Sequence, residues 1–371
     1  MATITAEDRT ALTDSLKRLL ADHASEADVR RVMETDRGYD PALWRQLAEM
    51  GIVGLVIEEE FGGVGAGPVE LERVMEDAGA ALLCAPLVSS GVLAAQLLRA
   101  LGDGEAKTRL LPAIANGSRI ATAALTGRRG GWTPETVEVE ATPRDDVAWT
   151  LDGVASFVTD GQVADVLLAA ARTADGIAVF EVEPGAKGVT IKPLPTFDHT
   201  LRLAEIGFDA APARRLASTG PAWDAVEAAL DLARVALAGE EAGAARRTLE
   251  FTVDYAKTRA QFGRLIGSFQ AIKHMAANLV LESESATSAA RHAAQALADG
   301  ARDAGAAISL ASFACADAFG AIAADAIQMH GGIAFTWAHP AHLYLRRARA
   351  DAQLFGGSAF HRERYLQRLG A

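Results

Sequence analysis

The chain has 371 residues, and its 36 Lys and Arg against 48 Asp and Glu give a formal net charge of −12. This length is sufficient for two or three domains. Half of the residues are hydrophobic but only 6% are aromatic, and alanine is very common, which favours closely packed helices. No basic stretch stands out that could neutralise phosphates, so we expect no nucleic-acid partner.

The sequence also indicates a cytoplasmic location. Cys84 and Cys315 lie in apolar, helix-like stretches, and reduced core thiols are the simplest interpretation of both. The opening "MATITAEDRTALTDSLKRLL" is charged and amphipathic, unlike a signal peptide. No stretch of about 18 apolar residues without charge occurs, so we expect no membrane span.

Three regions follow one another along the chain. Residues 1–119 predict an N-terminal helical domain, whose first helix can be capped by Thr5 and whose helix "DPALWRQLAEM" can end at Gly51. Residues 120–221 hold short segments rich in β-branched residues between turn residues, which predict a middle β domain. Residues 222–371 return to the 3.6-residue period of long helices. The order predicts an α+β multidomain fold.

The first stretch with possible chemistry is "YAKTRAQFGRLIGSFQAIKHMAANL", residues 255–279. We expect a helix to end near Arg259, a glycine-containing turn to follow, and Ser268 to cap the next helix. Exposed N–H groups of the turn, together with Arg259, Arg264 and Lys273, could cradle a pyrophosphate. The alternative is a helical hairpin with solvated basic residues.

The second stretch is "QMHGGIAFTWAHPAHLYLRR", residues 328–347. Its glycine pair can end a helix and allow a close approach of the backbone to a ligand. His330, His339 and His342 fall here, but no carboxylate or cysteine completes a ligand set. We therefore interpret them as structural or hydrogen-bonding histidines and expect no metal.

Together, "RAQFGRLIGSFQAIKH" and "QMHGGIAFTW" resemble the acyl-CoA dehydrogenase family. "IEEEFGGVGAGPVELERVMEDAG" at 57–79 is similar to the N-terminal loop and helix of that family, and "LDGVASFVTDGQVADVLLAAAR" at 151–172 to its β-domain strand pair. The resemblance implies a helical domain, a β-sandwich or barrel-like domain and a C-terminal four-helix bundle. It implies FAD as cofactor, and α,β-desaturation of an acyl-CoA thioester with an acceptor such as an electron-transfer flavoprotein.

Residues carried over from the family fall into groups. Leu125, Thr126, Phe157 and Thr159 would lie against the flavin ring, and Arg234 at the mouth of the substrate helix. The residues that would meet the FAD of a neighbouring subunit are Arg259, Phe262 and Gln270. The residues that would line the adenosine end of the FAD are Gln328, Gly331 and Gly332. Such a shared site implies that the chain is at least a dimer.

The sequence departs from the family pattern in two places. The loop "TGRRGGWTPE", residues 126–135, lacks an acid and a serine that usually hold the flavin and the CoA arm. Arg128 and Arg129 could contact a phosphate instead, or be exposed loop residues. The two customary positions of the proton-abstracting carboxylate fall on Gly356 and Ala233.

A carboxylate elsewhere could replace the missing base. Glu240 lies in line with the apolar residues of its helix, and Glu241 is the next residue along that helix. A carboxyl group that is buried there would have a raised pKa. Glu240 could therefore act as the base, although it lies about 10 Å beyond Ala233 along the helix, or it could pair with an arginine. The missing acid at Gly356 could also leave space for a bulkier substrate.

Several functions stay open at this point. The chain could be a self-sufficient homo-oligomeric dehydrogenase, or one subunit of a hetero-oligomer whose related chain supplies the base. Its Gly-Gly turn resembles that of the smaller subunits of actinobacterial sterol-degrading dehydrogenases, so lipid or sterol side-chain catabolism is the expected setting. Alternatives are a non-catalytic partner that keeps the fold, and a flavin oxidase or monooxygenase on the same scaffold.

Overall fold

The computed structural model describes residues 5–144 and 148–370. Their contacts group into two compact units. We call the described residues of 32–67 and 84–233 the sheet unit, and those of 5–31, 68–83 and 234–370 the bundle unit. Each unit combines segments that are far apart in the sequence.

The α-helices are α1 Ala6–His23, α2 Glu26–Met33, α3 Pro41–Glu49, α4 Pro68–Ala80, α5 Ala95–Leu101, α6 Gly104–Ala115, α7 Ala222–Thr258, α8 Gln270–Ala298, α9 Ala304–His330, α10 Ala341–Asp351 and α11 Ser358–Leu369. The segment Leu87–Ala94 is π-helical. Local signals explain several ends. Thr5 and Asp8 form a capping box at α1, and Asp40 caps α3. After α3, Gly51 adopts a left-handed φ of 81°.

The strands are β1 Ala121–Ala124, β2 Glu140–Pro143, β3 Ala148–Thr159, β4 Val166–Thr173, β5 Gly176–Val182, β6 Val189–Pro193, β7 Leu203–Arg215, β8 Ala260–Gln261 and β9 Arg264–Leu265. In the sheet unit the order is β1-β4-β2-β3-β7-β5, with β6 beside β7. Strand β5 also pairs with β4, so the sheet closes on itself as a barrel-like structure. Its interior is apolar and includes Leu151, Leu167, Phe180 and Ile206.

The bundle unit is built around α7, α8 and α9, which contribute an alanine-rich core. Ala238, Ala242, Ala290 and Cys315 are among its buried residues, and their small side chains let the helix axes come close. Within the described residues, Ala304–Phe335 is long and apolar enough to cross a membrane. However, 61% of its apolar window is buried inside the protein, as in the core helix of a bundle.

Helix α4 packs against α7 through glycines in the bundle unit. A Cβ atom added at Gly79 would lie 2.0 Å from the carbonyl oxygen of Glu240. One added at Gly243 would lie 1.8 Å from the carbonyl oxygen of Glu76. Real side chains cannot approach a backbone oxygen this closely, so the two helices meet backbone to backbone.

The predicted fold class is confirmed, with helices before a barrel-like sheet and a helical bundle after it. One local prediction is wrong: Ser268 does not cap α8. Its Oγ donates to the carbonyl of Leu265 at 2.7 Å, and Phe269 occupies the N-cap position without a side-chain hydrogen bond. Strand β1 begins at Ala121 and α7 at Ala222. The division into domains at 119/120 and 221/222 stays a prediction.

Candidate functional site

The flavin-edge residues expected in the β domain lie just after β1 and at the end of β3. Between Ala155 and Val158 the register of β3 against β7 shifts, which is a β-bulge. Phe157, inside the bulge, has a φ of 57° and a side chain that is 38% exposed. Thr126 and Thr159 are buried, and the carbonyl of Thr126 accepts from the N–H of Ser156 at 2.8 Å.

The atypical loop 126–135 is tied back to the sheet. Arg128 Nε donates to Glu205 Oε2 at 3.1 Å, and the Arg128 N–H donates to Glu138 Oε2 at 3.1 Å. The guanidinium of Arg128 is mostly exposed, so this pair contributes little stability. Gly130 lies beside the ring of Phe157, which a Cβ at that position would approach to 3.6 Å.

The "RAQFG" stretch forms a two-stranded hairpin, β8 and β9, between α7 and α8. Phe262 at its tip is 92% exposed and has a φ of 53°. Arg259 and Gln270, at the two sides of the hairpin, are also exposed. Arg264 is engaged locally, with its guanidinium 3.9 Å from the centre of the Phe269 ring. The hairpin therefore presents an aromatic ring and polar groups outward.

The "QMHGG" stretch also presents an open surface. Gln328, Gly331 and Gly332 are exposed, and a Cβ added at either glycine would meet no atom within 4 Å. Phe335 and Trp337 follow, 78% and 52% exposed. Open backbone beside exposed aromatic rings is a suitable surface for a flat ligand or a neighbouring subunit.

The histidines of this stretch have local structural partners. Nδ1 of His330 lies 2.7 Å from the carbonyl oxygen of Ala326, and its ring stacks on Tyr255 with centroids 4.4 Å apart. The His339 ring lies 4.3 Å from that of His330. Burial lowers the pKa of His330 and of His339, and lowers that of His342 to about 4. All three are therefore neutral at pH 7.

The Gly-Gly turn at 356–357 is tightly packed and follows a strained residue, Phe355. Phe355 and Gly356 have φ values of 55° and 121°. The buried Arg234 donates from Nε to the carbonyl of Phe355 at 3.1 Å. A Cβ at Gly356 would lie 2.4 Å from Phe360 Cδ1 and 2.8 Å from His361 Nε2. The prediction that the missing acid at Gly356 leaves free space is therefore wrong, because Phe360 and His361 occupy that space.

Glu240 and Glu241, adjacent on α7, have different surroundings. Glu240 accepts a hydrogen bond from Arg347, and both side chains are buried. Glu241 is 1% exposed and lines a cavity of about 10 Å³ with Gly356 and His361, roughly one water in volume. Burial, and then the nearby charge of Glu240, raise the pKa of Glu241 well above its usual range. Among the residues that the structure describes, Glu240 is thus the one of these two glutamates that forms an ion pair with an arginine.

A charged cluster that the sequence did not indicate lies on α4. Glu76 accepts from Arg246 at 2.8 Å and from Arg291 at 2.9 Å, and borders a cavity of about 750 Å³. Burial and the neighbouring Glu76 raise the pKa of Glu72 to about 8. The side-chain hydrogen bonds to Glu76 outweigh its burial and lower its pKa to about 2. The partners come from distant helices, so no local pattern marks them.

Comparison with known proteins identifies the family. Residues 6–118 match the family model described as the acyl-CoA dehydrogenase N-terminal domain, and residues 222–370 match the C-terminal domain. Acyl-CoA dehydrogenase IpdE2 of Mycolicibacterium smegmatis is 35% identical over 95% of either chain.

Two solved structures have the same fold over nearly the whole chain. A chain of a variant of the Tcur3481-Tcur3483 steroid ACAD is 31% identical, with a TM-score of 0.88 and 98% of each chain covered. A chain of the ChsE4-ChsE5 complex from Mycobacterium tuberculosis is 28% identical, with a TM-score of 0.90, covering 100% of this chain and 99% of that one. The chain thus belongs to the acyl-CoA dehydrogenase family, whose members are FAD-containing oxidoreductases.

Proposed function

We propose that the chain takes part in FAD-dependent α,β-desaturation of an acyl-CoA thioester, as one subunit of a hetero-oligomer with a related chain. The observation that carries the proposal is the hairpin at 259–265. It exposes Phe262 almost completely, in a backbone conformation that is unfavourable for a non-glycine residue. A large apolar side chain held out in this way is suited to a partner or cofactor.

The residues present are compatible with FAD. Arg259 offers an exposed guanidinium for a pyrophosphate, and the open glycines 331 and 332 allow close contact with the adenosine end. In the sheet unit, Leu125 and Thr126 would border the flavin ring, Phe157 would pack on it, and Thr159 would hydrogen-bond near its reactive nitrogen. FAD, when bound, supplies the acceptor for the hydride that leaves the β-carbon of the substrate.

The proposed need for a second chain rests on the three positions where this chain could carry a base. Position 356 is a glycine whose side-chain space is filled, and Ala233 has only a buried methyl group. Glu240 is held by Arg347, which favours a structural role over proton abstraction. A carboxylate from a related subunit would then take the α-proton, while this chain orients the cofactor and excludes water.

The substrate class we propose is a ring-bearing acyl-CoA. The support is the likeness to the steroid ACAD chain. Electrons would pass to an acceptor such as an electron-transfer flavoprotein. The second candidate function, a non-catalytic partner that keeps the fold, is favoured by the departures at 126–135 and Gly356.

The test is to purify the chain alone and co-expressed with each related chain from its source, and to record the flavin absorbance near 370 and 450 nm (general to oxidised flavins). Turnover is then followed with a steroid side-chain CoA ester. We expect flavin and activity only in a hetero-oligomer. Full activity of this chain alone would refute the paired arrangement, and flavin without turnover in every complex would favour the non-catalytic partner.

Arg259→Ala provides a residue-level check. It should raise the Kd for FAD about tenfold or more, the effect of losing a charged hydrogen bond. Arg302→Ala is a matched control. Arg302 is also an exposed arginine, but it lies in the turn after the C-terminal end of α8, a helix of 29 residues that begins beside the hairpin. Equal effects of the two substitutions would contradict the proposed role of the hairpin.

A further inference from the structure

The strand end that carries Phe157 and Thr159 is held in an unfavourable backbone conformation. Phe157 and Asp160 have φ values of 57° and 54°; aspartate adopts this region more readily than most residues, whereas phenylalanine rarely does. Non-glycine residues stay in this region only where surrounding contacts fix them, and such positions cluster at functional sites. The contacts that fix this segment therefore determine where Phe157 and Thr159 point.

Those contacts come in part from the π-helical segment Leu87–Ala94. Ser89 is fully buried, and its Oγ donates to Asp160 Oδ2 at 2.6 Å. The next residue, Ser90, is also fully buried, and its Oγ accepts from the N–H of Ala121 at 3.0 Å. Two adjacent hydroxyls of one helical turn thus hold the end of β3 and the start of β1.

The two strands are also connected to each other. Thr122 Oγ1, on β1, donates to the carbonyl of Thr159 at 2.6 Å. The N–H of Asp160 donates to the carbonyl of Arg202 at 2.9 Å. Three groups therefore fix the segment: the carboxylate of Asp160, the N–H of Asp160, and the carbonyl of Thr159. The contact to the carboxylate is the one that the π-helical segment provides.

The helix geometry is consistent with this role. In a π-helix each N–H bonds to the carbonyl five residues earlier, and the N–H of Ala95 does so to Ser90. The wider turn changes which side chains face a neighbouring element. π-helical turns are rare and are found frequently at functional sites.

We propose that Ser89 and Asp160 are a positioning pair, which fixes the strained end of β3 so that Phe157 and Thr159 face the flavin. Neither residue touches the reacting atoms, and both act through the strand. The inference rests on the proposed function, since it assumes that FAD binds at this strand.

The experiment uses the full chain, in the complex that retains flavin, with Ser89→Ala, Asp160→Ala and Asp160→Asn. We expect Ser89→Ala and Asp160→Ala to raise the Kd for FAD about tenfold and to change the visible spectrum of the bound flavin. Asp160→Asn keeps an acceptor oxygen for Ser89 and should stay close to the unsubstituted protein. The flavin-free chain should show faster amide hydrogen exchange at 157–160 in the two alanine variants only.

Thr150→Val is the matched control. Thr150 lies on the same strand, is buried, and donates from Oγ1 to the carbonyl of Thr142 at 3.5 Å. It should lower Tm as Ser89→Ala does, without changing flavin affinity or exchange at 157–160. If Ser89→Ala behaves like Thr150→Val in every measurement, the pair is only structural and the inference is wrong.

The two proposals can fail separately. Absence of flavin from every unsubstituted complex would refute the proposed function, and with it the role of the pair toward a cofactor. Flavin bound equally by the unsubstituted protein and by Ser89→Ala would refute the positioning pair alone.

Discussion

The neighbouring carboxyl groups of Glu240 and Glu241 should respond oppositely to the same substitution. Glu240→Gln removes one of the two carboxylates that face the buried Arg347; the other is Asp351, whose Oδ1 lies 4.0 Å from Arg347 Nε. Breaking a buried ion pair from one side costs about 3–5 kcal/mol, because the other charge stays buried. Gln keeps an acceptor oxygen, so we expect the lower value. For a unit of this size, about 3 kcal/mol lowers Tm by roughly 6–12 °C.

Glu241→Gln should instead raise stability at pH 7, and should change it by less than about 0.5 kcal/mol near pH 4.5, where the unfolded chain also keeps much of this proton. Its raised pKa keeps the folded carboxyl protonated, and glutamine is a neutral group of the same shape. The unfolded chain releases this proton above its ordinary pKa of about 4.5, while the folded chain retains it. The stability of the unsubstituted protein therefore falls as pH rises above that value, and Glu241→Gln should remove this contribution.

The assay is thermal unfolding of both variants between pH 5 and 9, together with turnover of the assembled complex. Equal losses of Tm at pH 7 would refute the reasoning, because Glu241 would then be ionised and paired. A Glu240→Gln protein with unchanged Tm and no turnover would instead identify Glu240 as the base.

Two further predictions concern α4 and its neighbours. Gly243→Ala places a methyl group against the carbonyl of Glu76 and should lower the free energy of unfolding in urea by about 3 kcal/mol or more. Gly320→Ala is the control, at an open position inside α9, and should raise the free energy of unfolding by about 0.5–1 kcal/mol. Similar losses of stability in the two variants would contradict the close contact between α4 and α7. The pKa of Glu72, raised to about 8, implies that the folded state keeps a proton that the unfolded chain releases above about pH 4.5. Stability should then fall between pH 5 and 8, and Glu72→Gln should flatten that fall; an unchanged pH profile in the variant would disprove the assignment.

Features fixed by local interactions could be predicted from the sequence. The cap of α1 depends on Thr5 and Asp8, three positions apart, and the end of α3 on the backbone freedom of Gly51. Ser268 was a misleading signal, since its hydroxyl has a carbonyl three residues earlier within reach. At Ser268, the preference of serine for a helix N-cap is overridden by the short hairpin that precedes α8.

The identity of distant partners could not be predicted, even where, as for Glu240, an arginine partner was one of the alternatives. Glu240 and Arg347 are 107 positions apart, and Glu76 and Arg291 are 215 apart. Without those partners, "VELERVMEDAG" has the pattern of an ordinary amphipathic helix with an exposed acidic face. Likewise, the positive φ of Phe157 depends on the bulge in β3 and gives no residue-type signal, since phenylalanine rarely adopts it.

The backbone contact between α4 and α7 has a consequence for how the chain matures on the ribosome. Residues 68–83 leave the ribosome long before residues 234–258, yet both belong to one compact unit. Until the later helices are made, α4 holds Glu76 without Arg246 and Arg291, and its glycine-lined side has no helix to meet. The unit should therefore acquire protease resistance late in synthesis, whereas a chain stopped at residue 233 contains every segment of the sheet unit.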